Sequence, residues 1–156
     1  MNLKTLFILA MLCIGQLLHH PIALAADAVE EPALSPAEQA AYVAAGMIGA
    51  PYKYRGIGPN AFDCSGLVRY SFESAGIETP HSTRELRKVS DRIQFTELQR
   101  GDLLFFNERR RRSSHVGIYL ADGLFVHAPR RHERVRIDNL DDQHWKKRFS
   151  EARRIS

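Results

Sequence analysis

Phe62-Asp63-Cys64-Ser65-Gly66-Leu67-Val68-Arg69-Tyr70 reads as a turn that becomes a helix. Asp63 suits an N-cap, because its carboxylate can accept hydrogen bonds from the first free backbone N–H groups. Leu67, Val68 and Phe72 supply the apolar face, and Gly76 the stop. Cys64 therefore falls at or beside the first helical position, where the positive end of the helix dipole favours a thiolate. That makes it a candidate nucleophile.

Upstream, Lys4 gives a basic start and Thr5 to Leu18 an apolar run broken only by Gly15 and Gln16. Ala23-Leu24-Ala25 then offers a small-x-small cleavage site, so residues 1–25 are expected to be a secretory signal peptide. The run is short for a membrane span. An uncleaved N-terminal anchor and lipid attachment at Cys13 are the alternatives, and the large Leu12 before Cys13 argues against a lipobox. Residues 26–34 read as a mobile leader and 35–156 as one domain, the mature chain of about 130 residues being enough for one modest core. The chain has two cysteines, and losing Cys13 with the signal leaves Cys64 alone. A lone thiol in an oxidising compartment cannot form an internal disulfide; it is a buried hydrophobe, an intermolecular link or a working nucleophile. Removing Lys4 lowers the formal charge of +4 by one, which suits an anionic surface such as a cell wall. An export signal without interleaved basic and aromatic residues argues against nucleic acid.

Along the chain, Ser35-Pro36-Ala37-Glu38 starts a helix expected to run to about Met47 or Ile48, with an alanine-rich face for close packing. Pro51 to Asn60 is a Gly- and Pro-rich loop whose Tyr52 and Tyr54 can place phenols near the thiol; Tyr54 is favoured for the site. Ser82 and Glu85 suggest a second capping box on a short surface helix. From Gly101 the period changes to strands: Leu103–Phe106, His115–Leu120, Leu124–Ala128, Val135–Ile137 and Phe149–Ile155. Helices first and an antiparallel sheet afterwards predict an α+β domain.

His115 and His127 lie on two strands joined at Asp122-Gly123. Counting outward from Ala121 opposite Leu124, His127 faces Ile118 and His115 faces Arg130. That leaves the histidines about 10 Å apart at the backbone, a spacing that permits a contact without requiring it. Thiol chemistry needs a base and a third polar group to orient that base, roles that Cys64, His115 and His127 can fill. A thiolate–imidazolium pair would keep Cys64 ionised near neutral pH. His81, His132 and His144 read as surface residues. A Cys/His metal-binding module is the alternative, without any Cys-x-x-Cys or His-Glu-x-x-His pattern behind it.

The pieces Pro51-Tyr52-Lys53-Tyr54, Phe62 to Val68, Gly101 to Phe106, His115 to Leu120 and Phe125-Val126-His127-Ala128 together resemble the NlpC/P60 cysteine peptidases, a papain-like family acting on cell-wall peptides. The resemblance implies a papain-like fold with Cys64 as nucleophile, His115 as base and His127 as the orienting residue. It implies Tyr54 beside the oxyanion site, Asp63 and Ser65 shaping the pocket, and Ser114 beside the base. No cofactor is implied, the partners are peptidoglycan peptides, and the expected protein is an exported monomer, periplasmic or secreted, with no stable membrane anchor. A related amidase or acyltransferase is the variant reading. Arg55 stands where the family usually has Gly, and Arg100 where it often has Pro. Arg109-Arg110-Arg111-Arg112, read as a loop before the base, form with Arg55 a candidate rim for substrate carboxylates.

Overall fold

The structure is a computed structural model that describes residues 33–108 and 111–156, without the side chains of residues 111–113. The expected signal peptide, almost all of the leader, and Arg109 and Arg110 lie outside the described residues.

Helix α1 (Pro36–Gly46) begins as the caps dictate: Ser35 and Glu38 close a reciprocal capping box around Pro36. Its Ala40, Ala41 and Ala44 are buried, and small side chains let α1 lie close against helix α2 (Cys64–Ser74). α2 buries Leu67, Val68 and Phe72 and ends before Gly76, whose φ of +85° suits glycine. Helix α3 (Thr83–Leu86) forms without the expected capping box, since the Ser82 side chain makes no cap hydrogen bond. It is held instead by burial of Leu86, so it is less superficial than its polar sequence suggests.

Six strands follow: β1 (Asp91–Ile93), β2 (Leu103–Glu108), β3 (Arg111–Ala121), β4 (Leu124–His127), β5 (Arg136–Asn139) and β6 (Phe149–Arg154). They form one antiparallel sheet in the order β1-β6-β2-β3-β4-β5. A 3₁₀ turn (Phe95–Glu97) precedes β2, and a short helix α4 (Gln143–Lys146) lies between β5 and β6. The α+β class is as the sequence predicts; β1 and α4 are additions, too short to leave a periodic signal. β3 starts earlier than expected, so Arg111 and Arg112 lie in a strand, not a loop, with Arg111 paired to Glu108.

Both faces of the sheet are covered. Leu103, Phe105, Val116, Ile118 and Val126 pack towards the helices, while Leu104, Phe106, Phe125 and Trp145 form a second cluster. This explains the unbroken apolar run in β2: a strand buried on both sides has no polar alternation. Gly101-Asp102 is structural. A Cβ on Gly101 would lie 2.3 Å from the Ala37 carbonyl oxygen, and buried Asp102 takes a two-pronged bond from Arg154 at 2.7 and 2.8 Å. Arg100 supports the same junction by covering the Tyr42 ring at 4.8 Å.

Candidate active site

The hairpin carrying the two histidines departs from simple counting. Asp122 and Gly123 have φ of +51° and +78°, the left-handed pair of a type I′ turn, and Ala121 does face Leu124. Beyond that pair the register slips, so Tyr119 faces Phe125 and Ile118 faces Val126, leaving Leu120 as a β-bulge. One residue of slip moves a strand's side chains to the other face. Here it brings Gly117 opposite His127, and His115 onto the same face as both. The ring nitrogens His115 Nε2 and His127 Nδ1 then meet at 2.8 Å. The counted register would have put the two imidazoles on opposite faces.

His127 is fully buried and His115 is 4% exposed. The second nitrogen of His127, Nε2, hydrogen-bonds Asp138 Oδ2 on β5 at 3.0 Å. Trp145 Nε1 donates to the same oxygen at 2.9 Å, and Arg136 Nε donates to Asp138 Oδ1 at 2.9 Å. The Trp145 ring stacks on His115, with centroids 5.6 Å apart and planes at 22°, and sets its edge against His127. Neither Asp138 nor Trp145 was in the sequence-derived site. No motif marks them, and the one available signal is that Trp145 is the sole tryptophan of the chain.

Cys64 arrives from the helix layer as the first residue of α2. The backbone N–H of Val116, the residue after His115, is close enough to its sulfur to favour the thiolate. Asp63 holds this turn. Its Oδ1 accepts from Gly66 N at 2.7 Å and Ser65 Oγ at 3.1 Å, and meets His81 Nε2 at 3.0 Å. Its Oδ2 accepts from Arg55 N at 2.9 Å. Asp63 and Ser65 thus direct their polar atoms to the turn that presents the thiol. His81, expected on the surface, is instead partly buried where it meets this carboxylate. Arg55 has φ of +59°, a left-handed conformation in which glycine is unstrained, which accounts for glycine as the usual residue there. Its backbone is used in the turn, and its side chain is not among those lining the cleft.

The thiol and His115 open into a cleft of about 970 Å³. Tyr52, Tyr54 and Ser114 line it together with Arg130, Arg131, Glu133, Arg136, His144 and Trp145. Tyr54 is 65% exposed, whereas Tyr52 also packs on the core. Ser114 Oγ donates to the Glu108 carbonyl at 2.8 Å and clasps β2 to β3 beside the base. Arg130 and Arg136 both pair with Glu133, while Arg131 makes no ion pair among the described residues.

Burial, helped by the Asp63 carboxylate, pushes the Cys64 thiol up to about 12, against the pull of the surrounding N–H groups. Burial, with His127 and Arg136 nearby, holds His115 well below its ordinary value. Both shifts favour a neutral thiol and a neutral imidazole in the empty cleft, not the standing ion pair expected from the helix terminus. Iodoacetamide should therefore modify Cys64 at a rate still climbing between about pH 7 and 10. A rate already flat at about pH 6 would establish a preformed thiolate instead. A shared metal site fits poorly. His115 Nε2 and His127 Nδ1 bond each other and His127 Nε2 bonds Asp138, leaving the thiol and one imidazole nitrogen, short of the three protein ligands of a catalytic zinc.

The profile of the NlpC/P60 family matches residues 49–154. The chain is 36% identical over 114 residues to murein DD-endopeptidase MepH of Escherichia coli, covering 70% of this chain and 42% of that protein. It is 37% identical over 108 residues to the E. coli protein named murein DD-endopeptidase MepS/murein LD-carboxypeptidase, covering 69% and 56%. An NlpC/P60 family protein from Bacillus cereus, 28% identical, superposes with a TM-score of 0.72 over 80% of this chain and 41% of that one. The matched stretch spans between 24% and 57% of the curated relatives' own lengths.

Proposed function

Because the chain belongs to the NlpC/P60 family, we propose that it is an exported cysteine endopeptidase that hydrolyses peptide bonds of bacterial peptidoglycan. The observation that carries this reading is the 2.8 Å bond between His115 Nε2 and His127 Nδ1. It fixes the imidazole while leaving His115 Nδ1 without a partner among the described residues. In the reaction the Cys64 proton passes to His115 Nδ1 as the sulfur bonds the acyl carbon. The carbonyl π pair moves to oxygen, where the N–H of Cys64 at the head of α2 stabilises it. His115 then protonates the leaving amine, and water releases the acyl group with the thiol restored. The Tyr54 phenol stands at the same cleft and adds a donor. No cofactor enters any step.

The names of the two E. coli relatives favour the D-alanyl–diaminopimelate cross-link over the γ-D-glutamyl–diaminopimelate bond within one stem. Either substrate is rich in carboxylates, for which Arg131, lining the cleft without an ion pair among the described residues, is the candidate partner. The protein is read as a monomer that leaves its signal peptide for the periplasm or the medium, with no nucleic-acid partner. The basic, apolar start of the sequence and Ala23-Leu24-Ala25 support export.

The test is digestion of purified sacculi and of defined cross-linked and single-stem muropeptides, under reducing conditions, with products identified by mass spectrometry. Mature protein should split the cross-linked dimer into monomers, and protein alkylated at Cys64 should leave it whole. Cleavage confined to single stems would move the assignment to the γ-D-glutamyl bond. Intact muropeptides throughout would overturn the wall-peptidase reading in favour of another acyl substrate.

A further inference from the structure

The hydrogen bonds that begin at His115 do not stop at His127. Asp138 Oδ2 accepts from His127 Nε2, Trp145 Nε1 and, at 3.1 Å, Arg136 Nη2; Oδ1 accepts from Arg136 Nε. Burial alone would raise the Asp138 carboxyl, but the His127 and Arg136 bonds outweigh it and hold the group well below the usual carboxylate range. An ionised carboxylate only accepts. His127 Nε2 must therefore carry hydrogen. Burial keeps His127 largely uncharged, so its Nδ1 is a bare acceptor. The nitrogen it faces, His115 Nε2, must then be the donor, and His115 Nδ1 is left with a lone pair. Each step has one solution because each of the three bonded ring nitrogens has one partner among the described residues.

We propose that Asp138 is a positioning residue that sets, through His127, which nitrogen of His115 is bare, and that Trp145 and Arg136 hold it in that task. The carboxylate also provides counter-charge two hydrogen bonds away when His115 takes the Cys64 proton. Trp145 joins two functions: its indole N–H fixes Asp138, and its ring covers the base from the side. The other charged or titratable groups around the pair are Arg136, Glu133 and His144. None of them touches a ring nitrogen of His115 or His127, so the polarity of the chain is Asp138's alone among the described residues.

This inference rests on Cys64 and His115 acting as nucleophile and base, but not on any wall substrate, so its test uses none. In ¹⁵N-histidine-labelled wild-type protein at neutral pH, long-range ¹H–¹⁵N spectra should show hydrogen on Nε2 and a bare Nδ1 for both His115 and His127. Hydrogen on either Nδ1 would overturn the proposal with no variant needed. In Asp138→Asn, the amide can offer a donor to His127, so both tautomers should appear at His127 and His115. Modification of Cys64 by iodoacetamide at about pH 7 should slow at least about 10-fold, as when an orienting aspartate becomes an amide elsewhere. Unchanged tautomers with a modification rate within twofold of wild type would reduce Asp138 to a packing role and overturn the proposal.

Discussion

His115→Ala should lower kcat/KM on cross-linked muropeptides by about 1,000-fold or more. The expected size follows from the resting state of the site. Burial favours the neutral thiol, so little thiolate is available unless a base removes the proton as substrate is attacked. His115 is the imidazole that shares the thiol's cleft, and the residue after it, Val116, turns its backbone N–H towards the sulfur. His127→Ala should be the milder change. It leaves the base in place but strands a buried N–H on His115, a loss of about 1–3 kcal/mol in orientation and solvation, or roughly 5- to 150-fold. Kinetics on folded protein, checked by thermal melting, separate the two. A His115→Ala enzyme within tenfold of wild type would remove the imidazole from its role as base.

Gly66→Ala should be the most destabilising of the small substitutions near the site. A Cβ at Gly66 would stand 1.9 Å from the Gly56 carbonyl oxygen and 2.9 Å from its carbon. The obstacle is backbone and cannot rotate away. That carbonyl already accepts the N–H of Asp63 at 2.9 Å, and Gly66 N itself donates to the Asp63 carboxylate. Moving either strand of this contact loosens the cap, the Arg55 turn and the approach of Cys64 together. A loss of at least about 3 kcal/mol is expected. On a domain of this size that corresponds to a fall in Tm of about 10 °C. Gly46→Ala is the matched control, since a Cβ there meets nothing within 4 Å. It should be neutral or stabilising by up to about 1 kcal/mol. Equal melting temperatures for the two variants would show that the Gly56–Gly66 approach carries no stability.

How far the sequence could be read depended on whether the information was local. Ser35, Pro36 and Glu38 announce α1, and Asp63 announces α2, because capping is decided within four residues. The same rule misfired at Ser82, where burial of Leu86 and not a cap fixes the helix. Cys64, His115 and His127 could be named from residue type and order, yet their contact could not. The bulge at Leu120 has no residue signature, and it alone decides which face His115 occupies. Asp138 and Trp145 were invisible for a different reason: they reach the histidines by sheet order and by the α4 turn, both products of tertiary packing. Asp63 was legible as a cap, but His81 beneath it was not, because nothing in Pro80-His81-Ser82 points towards residue 63.

The unpaired residue in the β3–β4 hairpin also bears on how related chains should be aligned. From the turn back to His115 there is an odd count of steps more than from the turn forward to His127, and Leu120 absorbs the difference. A hairpin lacking that one residue would reach the same face-to-face arrangement with a regular ladder. A one-position gap at Leu120 is thus compatible with an intact pair of imidazoles, whereas a gap between Leu120 and His115 with the bulge retained would set them on opposite sides of the sheet.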